Sequence, residues 1–333
     1  MPPTISDVAR AAGVGIGTVS RVINASPLVS ATTRARVLAA IERLGYQPSP
    51  IARAFGRRST HKLELLVPLF AAPFFLDIMR GVEDALADSD YTLLVRTIDG
   101  PADRDRVFSA CCKRGRADGV LVVWTPPTDA FIERLAAEAL PAVLLNAVNP
   151  HVWAVAVDHL AAAHRAVTYC AGLGHQRIAL IDRFADPFAT TGVGVCQRGY
   201  QLAMADAGLA QSADYEHVVP LDPYAAATAF STLQAMPAAP TAIVVGSDTQ
   251  AIGVFNAARA AGLRVPRDVS IVGYNDNPIA AYLGLTTMRV PLRALGRQAT
   301  ELLLEALTEP MAAPTTRFLP TELVVRRTCG PPN

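Results

Sequence analysis

The sequence predicts a three-helix head of the helix-turn-helix kind, a short hinge, and an α/β body of two doubly wound parallel-sheet subdomains. Three observations carry this prediction. Residues 4–24 place two short amphipathic segments on either side of a glycine turn. Basic charge is concentrated at the start of the chain: residues 1–62 hold nine Lys and Arg against two Asp and Glu, a net +7, whereas the other 21 basic and 27 acidic side chains give −6. From Leu63 onward, short apolar runs alternate with amphipathic stretches, as expected of strands buried on both faces and wrapped by helices.

Taken in order, Thr4 caps a first helix whose third residue, Asp7, complements the positive end of the helix dipole. Val8, Ala9 and Ala12 form its inner stripe, and Gly13 ends it. A second helix from Ile16 to Ile23 turns Val19, Val22 and Ile23 inward and leaves Ile16, Gly17, Ser20 and Arg21 facing out. Two short helices joined this way, the second presented outward, are the arrangement that enters a DNA major groove. Ser30 caps a third helix with Val37, Leu38, Ile41 and Leu44 on its apolar side, and Gly45 closes it. The charge asymmetry fits a head that meets a polyanion while the body does not.

After Tyr46 the chain turns basic and short of apolar residues. Ser49, Pro50 and Gly56 bracket a helix of only about six residues, too short to hold itself together in water. Such a hinge folds when it docks. In a DNA minor groove its wedge between bases would be Phe55, with Arg53 and Arg57 beside the phosphates.

In the body, strands are expected at 63–69, 91–95, 119–124, 142–146, 152–157, 177–181, 241–246 and 269–274, with helices at 74–87, 159–173, 197–207 and 249–261. Ligands of such sheets bind beyond the carboxyl ends of the strands. The glycine runs 13–17 and 192–194 lack the strand–glycine–helix spacing of a nucleotide-binding turn. The expected domains are a head at 1–47, a hinge at 48–61 and a ligand-binding, dimerising body at 62–329.

Composition excludes several classes. Half of the 333 residues are hydrophobic (51%), enough for real cores, yet no apolar run reaches the roughly 18–20 residues of a membrane span. No secretory leader is evident, so a cytoplasmic protein is expected. The five cysteines, Cys111, Cys112, Cys170, Cys196 and Cys329, form no CxxC pair, so reduced, buried thiols are expected. No histidine stands at a spacing that suggests a nucleophile–base pair or a metal site, which argues against a hydrolase and against any cofactor or metal. A periplasmic ligand carrier would need a leader and would have no use for a basic head.

The runs Val29-Ser30-Ala31-Thr32-Thr33-Arg34, Gly45-Tyr46-Gln47-Pro48 and Ile51-Ala52-Arg53, with Gly172-Leu173-Gly174-His175-Gln176-Arg177-Ile178-Ala179 and Val265-Pro266-Arg267-Asp268-Val269-Ser270-Ile271-Val272-Gly273-Tyr274, resemble the lactose-repressor and galactose-repressor family of bacterial transcription regulators. Leu285-Thr286-Thr287 and Leu319-Pro320-Thr321-Glu322-Leu323-Val324-Val325-Arg326 resemble that family's closing motifs, so the likeness runs nearly end to end. It implies a homodimer or a dimer of dimers on double-stranded operator DNA, and a body like the periplasmic sugar-binding proteins with a small-molecule effector in its cleft. It also implies three chain crossings, with one subdomain at about 63–160 and 290–318 and the other at about 161–289 and 319–329.

By that resemblance Ile16, Gly17 and Arg21 stand where the family reads bases, and Thr18, Ser20, Asn24 and Tyr46 where it touches or buttresses the backbone. Phe55 stands where a leucine wedge is usual; Thr4, Arg53 and Arg57 complete the expected DNA-facing set. Gly15 replaces the usual serine or threonine cap of the second helix. For the effector, the cleft candidates are Phe74, Thr190, Cys196, Arg198, Tyr224, Asp248 and Asn275. Cys196 and Asn275 replace the arginine and aspartate with which the family usually grips its ligand. A less charged, more apolar cleft is therefore expected, which within the wider set of sugars, nucleosides and small aromatics favours a small, weakly charged or partly aromatic ligand stacked on Tyr224 over a common hexose. At the hinge, Phe55→Ala is expected to reduce DNA bending and specific affinity together, read by gel mobility of circularly permuted duplexes; an unaltered bend would remove the wedge.

Overall fold

The computed structural model describes residues 3–23, 26, 28–46, 59–68, 73–113, 115–183, 193–308 and 313–333. Of the residues singled out above, Asn24, Arg53, Phe55, Arg57 and Thr190 lie outside them, as does most of the hinge. The chain divides into two units, Met1–Lys62 with Arg114–Asp118, and Leu63–Lys113 with Gly119–Asn333.

In the first unit, α1 (Ile5–Ala12) opens with a capping box. The Thr4 and Asp7 side chains each accept the other's backbone N–H, at 3.4 and 2.9 Å, and Gly13 ends the helix at φ +62°. Next come α2 (Ile16–Ile23) and α3 (Ala31–Leu44), the latter capped by Ser30 and closed by Gly45. Val8, Ala9, Ala12, Val19, Val22, Val37, Ala40 and Tyr46 make one small core. Leu38, expected inside, is 51% exposed. The inner stripe of α3 runs through Val37, Ala40, Ile41 and Leu44, three and four residues apart, and position 38 lies off it.

The second unit holds two six-stranded sheets. The first contains β1 (Lys62–Pro68), β2 (Thr92–Ile98), β3 (Gly119–Val123), β4 (Ala142–Leu145), β5 (Trp153–Val157) and β11 (Thr316–Leu319), in the order β11-β5-β4-β3-β1-β2. The second contains β6 (Ile178–Arg183), β7 (Glu216–Val219), β8 (Ala242–Val245), β9 (Ser270–Asn275), β10 (Thr286–Arg289) and β12 (Glu322–Val324), in the order β12-β10-β9-β8-β6-β7. The pairings β1–β3, β3–β4, β4–β5, β5–β11, β6–β7, β6–β8, β8–β9 and β9–β10 are parallel, and β12 is an antiparallel edge on β10, as is common on otherwise parallel sheets. The central strands β1, β3, β4, β8 and β9 are buried on both faces, which is why they read as continuous apolar runs.

Helices cover the sheets: α4 (Phe75–Leu86), α5 (Pro101–Cys111), α6 (Asp129–Ala137), α7 (His159–Gly172), α8 (Val193–Asp206), α9 (Pro223–Gln234), α10 (Asp248–Ala260), α11 (Pro278–Leu283) and α12 (Leu292–Thr308). The chain passes between the sheets three times: from β5 into α7, from β10 into α12, and from β11 straight into β12. His175 fastens the C-terminal end, its ring nitrogens meeting Thr241 Oγ1 (2.9 Å), Ser270 Oγ (3.1 Å) and the Gly330 carbonyl (2.9 Å), and burial lowers its pKa. That is a structural employment of the one histidine inside a family motif. None of the five cysteines is in a disulfide, and four of them are buried. No helix of the described residues is long and apolar enough to cross a membrane.

The crossing helix α12 packs on α4 backbone to backbone. A Cβ at Gly81 would lie 2.0 Å from the Arg293 carbonyl oxygen, and one at Gly296 would lie 2.2 Å from that of Ile78. A fork of hydrogen bonds from Arg293 Nε and Nη2 to the Asp84 carboxylate (2.6 and 2.8 Å) closes the same contact. Gly81→Ala is expected to push the two helices apart and to lower the unfolding free energy by about 1–3 kcal/mol, read as a lower urea midpoint.

Candidate nucleic-acid interface and ligand cleft

The outward face of α2 is built by subtraction. Val19 and Val22 are buried, Ile23 is half-buried, and what remains outside is Ile16, Gly17 and Arg21, with Ser20 and Thr18 half-buried at the margins. Ile16 is 51% exposed, and a Cβ at Gly17 would meet nothing within 4 Å. Gly15 gives the helix its first carbonyl, accepting from Thr18 N and Val19 N, so the missing hydroxyl cap costs only a side-chain bond. Thr4 is exposed, but its hydroxyl is engaged by Asp7 at 2.7 Å. Tyr46 is a core residue of the head, 8% exposed, and bears on DNA only by shaping that core.

In the body, backbone strain marks the carboxyl ends of the strands. Among the described residues, the non-glycine residues at positive φ are His61 (+52°), Trp124 (+48°), Ala139 (+48°), Asn146 (+58°), Asn275 (+101°) and Asp276 (+58°). Four of these, Trp124, Asn146, Asn275 and Asp276, stand where β3, β4 and β9 end. Such conformations cost of order 1–3 kcal/mol each and persist at functional sites where surrounding structure holds them. Phe74, at the start of α4, packs edge-on against Trp124 with ring centroids 4.7 Å apart. The buried Trp124 Nε1 and Asn146 Nδ2 donors and the Asn277 Oδ1 acceptor have no hydrogen-bond partner among the described residues, although such groups normally do.

A cavity of about 190 Å³ opens where the two halves of the body meet. It is lined by Asp77 of α4, by Asn275 and Asp276, by Arg289 at the end of β10, and by the crossing residues 290–294. Two carboxylates and two guanidiniums, those of Arg289 and Arg293, therefore line it. This cavity carries both signs of charge, Asp276 supplying a carboxylate one residue beyond Asn275. That carboxylate is nearly buried and is held by Arg289 Nε (2.8 Å) and Arg326 Nη2 (2.7 Å), and Arg289 also reaches Glu322 at 2.8 Å. The Asp276 contact raises the Arg289 pKa.

The other cleft candidates separate. Asn275 lines the cavity, and Phe74 packs on Trp124 just beyond the carboxyl end of β3. Tyr224 is 82% exposed at the start of α9, Arg198 is exposed on α8, and Cys196 is buried on α8. Asp248 is withdrawn from solvent altogether: its oxygens accept from Asn277 N and Thr287 Oγ1, both at 2.7 Å, so they tie α10 to the loop after β9 and to β10. The sequence pattern missed Trp124, Asn146, Asp276 and Arg289. For the first two a signal existed, since each ends an apolar run where ligands of parallel sheets bind.

Burial pushes the Asp248 carboxyl up to about 7, against the lowering by Thr287 and Asn277. Since the unfolded chain releases this proton near 3.8 and the folded chain near 7, its contribution to stability is largest below about 4, falls as pH rises and is flat above about 7. Asp248→Asn is expected to remove a one-proton slope, about 1.4 kcal/mol per pH unit, from the unfolding free energy across that window, read by urea titrations at several pH values.

Residues 4–49 match the family model described as bacterial regulatory proteins, lacI family, and residues 167–329 match that of a periplasmic binding protein-like domain. The HTH-type transcriptional repressor PurR of Vibrio campbellii is 32% identical, with 98% of each chain covered. The lac repressor dimer solved with operator and the anti-inducer ONPF is 26% identical with a TM-score of 0.83, covering 98% of this chain and 99% of its own. The complex of the transcriptional regulator CelR with cellobiose is 30% identical with a TM-score of 0.72, again over 98% and 99%.

Proposed function

The chain belongs to the lacI family of bacterial regulatory proteins, and on that premise we propose that it represses transcription as a homodimer whose two heads hold a near-palindromic operator while a small molecule in the body cleft sets their grip. The observation that carries the DNA reading is α2, with its inner edge of Val19 and Val22 packed and its outer face of Ile16, Gly17 and Arg21 left free in a head of net charge +7. Arg21 is the side chain able to fork onto a guanine edge, Ile16 suits a thymine methyl, and Gly17 leaves one base step without a direct reader. The hinge arginines Arg53 and Arg57 serve phosphate.

For the effector, the chemistry around the strand ends favours a hydroxylated ligand over a plain aromatic one. Unpartnered donors at Trp124 and Asn146, an unpartnered acceptor at Asn277, and a cavity lined by both carboxylates and guanidiniums suit a molecule with several hydroxyls, a sugar or a nucleoside. A ligand without them would leave those groups unpaired, which costs about 1–3 kcal/mol for each buried group. Such a ligand acts on DNA only through a difference in its affinity for the two arrangements of the cleft.

The test is a duplex enriched from a random library by the full chain, titrated at several salt concentrations, then challenged with cellobiose, ribose, adenosine and indole. Arg21→Ala is expected to cost about 1–3 kcal/mol on the enriched duplex and to relax its base preference, while log affinity falls against log salt by about 0.9 for each phosphate contact. Unchanged affinity and preference in that variant would overturn the recognition-helix assignment; release by indole alone would overturn the hydroxylated effector.

A further inference from the structure

Outside the cleft, one carboxylate gathers an unusual number of donors. Asp118 immediately precedes β3, and its N–H donates to the Lys62 carbonyl at 2.8 Å, carrying the β1–β3 ladder one step beyond the pair Leu63↔Gly119. Its side chain then takes the chain that arrives from the hinge. Oδ1 accepts from Thr60 N and Thr60 Oγ1, both at 2.7 Å, and Oδ2 accepts from Ser59 Oγ at 2.5 Å and His61 N at 2.9 Å. Four donors on two oxygens saturate most of a carboxylate's acceptor capacity. The residue they hold, His61, is in the left-handed region at φ +52°, where a non-glycine residue stays only if its surroundings fix it. Nothing in the cleft uses this carboxylate.

We propose that Asp118 is a positioning residue for operator binding, touching neither DNA nor effector: it fixes the direction in which residues 59–61 feed the hinge, and so the spacing at which paired heads meet a duplex. This rests on the regulator reading above. The route from the cleft is β3 itself. That strand is buried along its whole length, begins directly after Asp118 and ends directly before Trp124, the strained residue against Phe74. At about 3.3 Å per residue the two ends lie roughly 20 Å apart. The strand thus runs in sequence from the residue that holds 59–61 to the Trp124 Nε1 donor that has no partner among the described residues.

The experiment uses the full chain and two duplexes, one enriched from a random library by the wild-type protein and one unselected. Asp118→Ala is expected to weaken the enriched duplex by at least about tenfold, within the range of ordinary coupling between sites, and to leave the unselected duplex within about twofold. Hydrogen exchange should then show lost protection at Thr60 and His61 with residues 120–122 unchanged. Asp118→Asn, which keeps the shape and one acceptor oxygen, should fall between and serves if the alanine variant does not fold. Faster exchange at Thr60 and His61 with unchanged affinity for the enriched duplex would make the carboxylate a local brace and overturn the proposal. Equal weakening of both duplexes, with loss of protection through β3, would overturn it as a folding defect. If the wild-type chain enriched no duplex, the regulator reading itself would fall, and this one with it.

Discussion

The body depends on how it holds its chain crossings. Two of the three pass through one ion cluster: Arg289 is the last residue of β10 before the crossing into α12, and Glu322 is the first of β12 after the crossing from β11. Between them sits Asp276, whose side chain is 8% exposed and which takes both Arg289 and Arg326. A carboxylate so far from water is tolerable only with such partners, of which Arg326 is the more buried and Arg289 is half-exposed. The cluster therefore joins the second sheet to the points from which the first sheet's last helix and strand depart.

Around this cluster the two sheets offer rigid edges. Their central strands have no exposed face, and α4 meets α12 with no side chain between their backbones at Gly81 and Gly296. Close-packed interiors of this kind do not deform smoothly; they move as blocks between discrete arrangements. The strain is stored where the blocks end, in the left-handed backbones of Trp124, Asn146, Asn275 and Asp276. These are also the places where orphaned polar groups collect, at Trp124, Asn146 and Asn277. Strain and unmet hydrogen-bonding capacity at one rim are what a ligand-gated cleft requires: the groups that a ligand satisfies sit on the segments whose conformation is held least by their own preference.

Legibility in the sequence followed the range of the interaction. The head was readable almost residue by residue because its signals are local: the Thr4–Asp7 box, the Gly13 and Gly45 stops and the Ser30 cap each act within a turn of helix. Leu38 was misplaced because the apolar stripe of α3 was read one residue too wide. In the body, β1, β3, β4, β8 and β9 announced themselves as unbroken apolar runs. The strands β7, β10, β11 and β12 did not: β7, β11 and β12 are short, half-exposed pieces such as Glu322–Val324 at a sheet edge or beside it, and β10 is only four residues long, with buried Thr286 and Thr287 in place of an apolar run.

By itself the sequence determined a basic helix-turn-helix head on a two-sheet α/β body, down to which face of α2 is free, since propensity, capping and periodicity act over a few residues. Only the tertiary structure decided what the polar side chains do. Asp248 could not be told from a ligand-facing acid until Asn277 and Thr287 closed on it from other elements. Asp276 became the centre of an ion cluster only when Arg289 and Arg326 were brought to it, and Asp118 an anchor for residues 59–61 only when β1 paired with β3. A carboxylate carries no mark of its partner in the chain around it; the partner arrives through sheet pairing and chain crossings, which join residues that the sequence keeps far apart.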